Sequence, residues 1–170
     1  MFISILLILV EGCIPQKATI FAAPEEALFS ISQEIRIIDQ KPLGNGIVFF
    51  ARDSKKDYIV RLERAGNGWV IDPPGISSSP ILPPSTDMHL GRDAHKSEDV
   101  ARTYTVVYGL VYNPNITAIE VHFLDNVIMR ERVKGEGFLV VRAGFYPNRD
   151  GKIRVIGLDD EGNKVWEDSE

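Results

Sequence analysis

Residues 104–112 read YTVVYGLVY, a run rich in β-branched and aromatic residues that ends at the turn sequence Asn113-Pro114-Asn115. Such residues favour strands, whereas Asn and Pro favour turns. The run therefore predicts a strand. Further short strands are predicted from there to the end of the chain, at residues 119–123, 127–133, 138–142, 153–158 and 164–167. Six or seven short strands separated by polar turns are typical of an antiparallel sandwich or barrel.

Before this region the pattern is also β-rich. Four strands are predicted over residues 35–72, where apolar and polar residues alternate and Asn67-Gly68 marks a tight hairpin. A helix is predicted over residues 24–34, because Pro24 suits a first helical position and Glu25 and Glu26 suit the positive end of the helix dipole. The predicted fold class is therefore mainly β, α+β only through one short N-terminal helix, with antiparallel hairpins and a sandwich-like C-terminal part.

Residues 73–99 differ from both regions. Their first half is crowded with proline and serine, and their second half is dominated by Asp, His and Lys. Proline cannot donate a ladder hydrogen bond, so a loop or linker is predicted here. It would separate a helix-plus-sheet unit at residues 24–72 from a β domain at residues 100–170. The strand pattern of that β domain resembles immunoglobulin-like modules of bacterial surface proteins.

Composition excludes several function classes. The chain has 170 residues and a formal net charge of −5, with 19 Lys and Arg against 24 Asp and Glu. An acidic chain has no general attraction for a phosphate backbone, so no nucleic-acid partner is predicted. The sequence contains one cysteine, which excludes an internal disulfide framework and a thiolate metal cluster.

The amino terminus carries the most informative motif. Phe2–Val10 is an apolar run interrupted by Ser4 alone. As a helix it would be ~14 Å long, against a hydrocarbon core of ~30 Å, so it is too short to span a bilayer. It has the length of the apolar region of a signal peptide.

Directly after this run, Val10-Glu11-Gly12-Cys13 resembles the lipobox of bacterial lipoproteins. The resemblance implies lipid attachment to the Cys13 sulfur, cleavage between Gly12 and Cys13, a signal peptide at residues 1–12 and a lipidated tether at residues 13–23. The expected location is the cell membrane, with the chain lipid-anchored at its extracytoplasmic face. Under the alternative interpretation, the first residues form a buried strand or helix and the cysteine is an inert core residue.

Motifs for enzymatic chemistry are scarce. The sequence has no GxSxG, HExxH or GxxxxGK[ST] pattern, so no catalytic residue and no cofactor are predicted, and the chain is expected not to be an enzyme. One weak candidate metal site remains: Asp87, His89, Asp93 and His95 lie within nine residues of sequence. Imidazole nitrogen and carboxylate oxygen both ligate zinc. The alternative function is therefore a metal-assisted extracytoplasmic enzyme that uses these four residues.

Tyr104, Tyr108 and Tyr112 lie at even spacing in the first quoted strand. Side chains at even spacing share one face of a strand, so the three rings form either part of a core or a platform for carbohydrate or peptide. The leading prediction is a membrane-anchored bacterial lipoprotein that presents a non-catalytic, β-rich interaction domain. Its partners would be the membrane, through the lipid anchor, and a protein or cell-wall component that the sequence does not identify.

Overall fold

The computed structural model describes residues 18–81, 87–147 and 152–168. The expected signal peptide, Gly12, Cys13 and the tether as far as residue 17 lie outside these ranges. The described chain is mainly β with antiparallel sheets, which confirms the predicted fold class.

The first half forms a four-stranded meander, sheet A, with a helix on one face. Helix α1 spans Pro24–Ile31, and sheet A consists of β1 (Arg36–Leu43), β2 (Gly46–Arg52), β3 (Lys56–Ala65) and β4 (Gly68–Pro80), in that order. Pro24 does occupy the start of α1, and the helix ends before residue 34 because Ser32 has extended backbone. Before the helix, Phe21 forms an isolated antiparallel bridge with Trp69 of β4.

The second half forms two further sheets. Sheet B has the order β5-β6-β9 and sheet C the order β11-β10-β7-β8. These strands are β5 (Met88–His95), β6 (Tyr104–Val111), β7 (Ala118–His122), β8 (Ile128–Arg132), β9 (Gly137–Ala143), β10 (Arg154–Leu158) and β11 (Lys164–Glu167). Sheets B and C face each other as a sandwich, which confirms that the C-terminal part is sandwich-like.

Sheet B is the middle layer of the molecule. On β6, Val107 points into the core shared with sheet C, where it joins Val121 and Val155. Val106 points the other way, into a second core shared with Phe50 and Ile59 of sheet A. The remaining face of sheet A packs against α1 through a third core that includes Leu28 and Phe49. The layers are therefore α1, sheet A, sheet B and sheet C.

The prediction of a loop or linker over residues 73–99 is wrong for most of its length. Residues 73–80 complete β4, and residues 88–95 are β5, the first strand of the sandwich. Both are edge strands, where proline is tolerated because one side of the strand needs no ladder hydrogen bonds. The sandwich therefore begins before residue 100, and sheet A extends beyond residue 72.

Candidate functional site

The structure separates the four predicted metal-ligating residues. Asp87 is exposed and precedes β5. His89, Asp93 and His95 lie at odd-numbered positions of β5, and all three are on the face turned toward sheet A. His89 and Asp93 are four residues apart on an extended strand, or ~13 Å. Among residues 18–81, 87–147 and 152–168, no group of three or more His, Cys, Asp or Glu side chains is placed to hold a metal ion. The geometry therefore does not support the metal-site alternative.

His89 lies beside a buried ion pair instead. Asp57 is fully buried on β3 and accepts hydrogen bonds from Arg52 Nε at 2.6 Å and Nη2 at 3.1 Å. The Nε2 atom of His89 lies 3.5 Å from Asp57 Oδ2. The imidazole therefore approaches a carboxylate that already has a cationic partner. This contact joins the edge of sheet B to sheet A.

His95 and Asp93 surround a buried tyrosine. The His95 ring lies 5.5 Å from the ring of Tyr104, with 38° between the two planes. Burial, together with the nearby Asp93 carboxylate, raises the pKa of Tyr104 to about 12. The phenol is therefore protonated at neutral pH and unsuited to act as a general base or nucleophile.

Tyr104 also borders a cluster of charged side chains that the sequence did not reveal. This ionic cluster consists of Arg61 and Glu63 of β3, Asp72 of β4, and Arg102. Arg61 is 2% exposed, lies 2.5 Å from Glu63 Oε1 and 3.4 Å from Asp72 Oδ2, and donates a hydrogen bond to the Arg102 carbonyl at 3.2 Å. Its guanidinium carbon lies 5.1 Å from the centre of the Tyr104 ring.

Arg102 completes the cluster from the segment that leads into β6. Its Nη2 lies 2.8 Å from Glu63 Oε2 and also contacts Asp72 Oδ1. The charges of Asp72 and Glu63 raise the pKa of Arg102 above its ordinary value. Two cations thus face two carboxylates, so the charges balance locally. Such an arrangement connects sheet A to the segment that leads into sheet B.

A bulge in β4 brings Asp72 into this cluster. Val60 pairs with Ile76, but Leu62 pairs with Ile71. Between these two pairs, β4 therefore contains more residues than β3. Gly75 is required within the bulge, because an added Cβ would lie 2.8 Å from the Arg61 carbonyl oxygen and still closer to that of Asp72. The sequence signal for this bulge is Pro73-Pro74-Gly75, at the start of the segment for which a loop or linker is predicted.

The tyrosines of β6 are mainly core residues. Tyr104 and Tyr108 are 4% and 6% exposed and belong to the core between sheets A and B. Tyr112 lies just past the strand and is 38% exposed. The core interpretation is confirmed for the first two, and the three rings do not form an exposed platform.

One cavity lies at the other face of β5. It has a volume of about 560 Å³, and Arg92, Thr105, Tyr146 and Lys152 are among its lining residues. Arg92 is engaged there, because its Nη2 forms an ion pair with Asp168 and donates a hydrogen bond to the Ile153 carbonyl at 3.3 Å. Thr105 is engaged as well, because its hydroxyl donates a hydrogen bond to the Phe145 carbonyl at 2.8 Å.

Comparisons with known proteins return no match to a family model, to a curated protein or to a solved structure. Within the described parts of the chain, no helix has both the length and the apolar character needed to cross a membrane.

Proposed function

We propose that this protein is an exported bacterial lipoprotein, attached through Cys13 to the extracytoplasmic face of the cell membrane. Its β-rich body would serve as a non-catalytic interaction domain for a protein or cell-wall partner. The observation that carries the proposal is the order of residues 2–13: a short apolar run, then Val10-Glu11-Gly12, then the sole cysteine of the sequence.

Lipid attachment explains how such a short apolar segment could serve a membrane protein. The run is too short for a permanent span but long enough for an export signal. Two or three acyl chains on one residue provide stable anchoring, which a single chain does not, since each buried methylene contributes ~0.8 kcal/mol. Removal of residues 1–12 would leave Cys13 as the first residue of the mature chain.

The body supports a binding role rather than catalysis. Strands β5 to β11 divide into sheets of three and four strands, the numbers found in constant-type immunoglobulin domains, although the fourth strand, β8, pairs here with β7 in sheet C rather than with β9 in sheet B. We therefore retain the immunoglobulin-like assignment as part of the proposal. The most deeply buried charged side chains of the described residues, Asp57, Arg61 and Asp72, are engaged in ion pairs within sheet A. Fold does not determine function, so the nature of the partner rests on experiment.

Metabolic labelling with palmitate in a bacterial host tests the anchor. We expect label on the wild-type chain and on a Thr19→Ala control, and none on Cys13→Ala. Mass spectrometry of the labelled chain should find lipidated Cys13 as the first residue. A Cys13→Ala chain that still carries label, or an unmodified thiol on a chain that retains Met1, would refute the proposal.

A further inference from the structure

The described chain begins at one identifiable end of the layered body. Residues 18–20 lead into Phe21, whose backbone exchanges 2.8 Å hydrogen bonds with Trp69 beside the β3–β4 turn. We call this the entry end. Glu63 and Asp72 lie near the same turn and bind Arg102, so the segment that leads into β6 is also at this end.

The β7–β8 turn reaches the entry end from sheet C. Ala143, the last residue of β9, pairs with Tyr104, the first residue of β6. Next to this pair, Arg142 forms a bidentate ion pair with Asp125 in the β7–β8 turn. Its guanidinium carbon also lies 4.8 Å from the centre of the Phe123 ring. The tip of this hairpin is therefore fixed beside the start of β6.

Six of the eleven exposed large apolar side chains among the described residues lie at the entry end. Ile20 is 64% exposed and Val100 67% exposed. The β7–β8 hairpin adds Leu124, Val127 and Ile128 at 42%, 39% and 55%, and Tyr146 follows β9 at 45%. Contiguous exposed apolar groups are typical of interaction sites, and the β7–β8 hairpin carries three such side chains within residues 124–128.

At the tip of the β7–β8 hairpin, the charged side chain beside the exposed apolar groups is paired. Asp125, the acidic residue of the turn, is neutralised by Arg142, and hydrogen bonding with Arg142 lowers the pKa of this carboxyl below its usual range. Asn126 has a φ of 64°, a left-handed conformation that closes the turn tightly between Leu124 and Val127. A fixed apolar tip of this kind can enter the interfacial layer of a bilayer without burying an unpaired charge.

The number of residues between Cys13 and the first described residue indicates that the bilayer is the partner of this surface. Five residue steps separate Cys13 from Ala18, the first described residue. At ~3.3–3.6 Å per residue, they span at most ~18 Å. If Cys13 carries the lipid, residue 18 lies within that distance of the bilayer. The entry end is then the part of the body nearest the lipid.

We propose that the entry end docks on the bilayer that holds the lipid anchor, with the exposed apolar side chains of the β7–β8 hairpin in the interfacial layer. This inference rests on the proposed lipidation of Cys13. The anchor would hold the entry end at the surface, and the hairpin would fix the orientation of the body. The far end of the layers, with the Asn113–Asn115 turn, would then face away from the membrane.

A fluorescent probe on the lipidated full chain tests this orientation. Lipidation blocks the Cys13 sulfur, so a cysteine introduced by Val127→Cys is the one reactive thiol. Asn115→Cys, in an exposed turn at the far end, is the matched control. Each chain is labelled with a polarity-sensitive nitrobenzoxadiazole group and reconstituted into vesicles of phosphatidylcholine and phosphatidylglycerol. Flotation of the vesicles is measured in the same samples.

We expect the probe at residue 127 to show a blue-shifted emission, roughly twofold stronger than at residue 115, and quenching by lipid that carries a shallow spin label. Equal, water-like emission from both probes on chains that float with the vesicles would overturn the docking and leave the anchor intact. Quenching of both probes would overturn the proposed orientation. Chains that do not float would refute lipidation itself. Val100→Cys, at a more exposed entry-end position, repeats the test if Val127→Cys does not fold.

Discussion

Removal of Arg61 should destabilise the protein far more than removal of a neighbouring surface arginine. In Arg61→Ala, Asp72 and Glu63 lose their buried cationic partner, and Tyr104 loses the guanidinium beside its ring. Removal of one partner of a buried ion pair lowers the free energy of unfolding by ~3–5 kcal/mol, because the other charge remains buried without a partner. Arg102 retains both carboxylates, which places the expected loss near the lower limit, at about 3 kcal/mol.

Urea unfolding followed by circular dichroism measures this loss. With a slope of about 2 kcal/mol per M, the midpoint of Arg61→Ala should fall by about 1.5 M. The matched control is Arg64→Ala on the same strand, where the guanidinium carbon is 4.2 Å from the centre of the Trp69 ring and the side chain is exposed. Its loss should cost about 0.5–1 kcal/mol. Equal midpoints for the two variants would refute the stabilising role of the ionic cluster.

Three further outcomes follow from the described contacts. The pKa of Tyr104 is raised from 10.0 to about 12, so between these pH values the phenol keeps its proton in the folded state and loses it in the unfolded state. The contribution of Tyr104 to the free energy of unfolding should therefore fall by about 1.4 kcal/mol per pH unit as the pH rises through this range. Tyr104→Phe should reduce the dependence of the urea midpoint on pH, whereas the control Tyr112→Phe should not. Leu139→Ala should cost ~2–5 kcal/mol, since Leu139 is fully buried between sheets A and B. In that variant the fluorescence of Trp69 in sheet A and Trp166 in sheet C should still change in a single transition, and two separate transitions would show that the sheets unfold independently. Zinc should leave the unfolding temperature unchanged, because the four polar residues at and before β5 do not converge; a rise that grows with zinc concentration would contradict this.

The strands that pack on both faces were predictable from sequence. The run at residues 104–112 is apolar at nearly every position because β6 contributes to two cores, and that composition identified it as a strand. Asn67-Gly68 likewise identified the β3–β4 hairpin, and Pro24 identified the start of α1. In each case the local residues alone determine the conformation.

The edge strands and the ionic cluster were not predictable in this way. Strand β4 tolerates prolines, and β5 carries mainly polar residues, because each pairs with a neighbour on one side only. The pairing of Arg61 with Asp72 depends on a bulge, and the approach of Arg102 depends on how two sheets pack. These contacts join residues distant in sequence, so no local pattern contains them.

The position of sheet B between two other sheets has a consequence for synthesis of the chain. Sheet A is a meander of consecutive strands, so its hydrogen-bond ladder can close soon after residue 80 has emerged. Its inner face, with Phe50 and Ile59, is first covered by β6, which is complete at Val111, and then by Leu139 of β9. For about thirty residues of elongation after residue 80, a hydrophobic surface therefore has no partner, and an exposed surface of this kind favours aggregation of a partly synthesised chain.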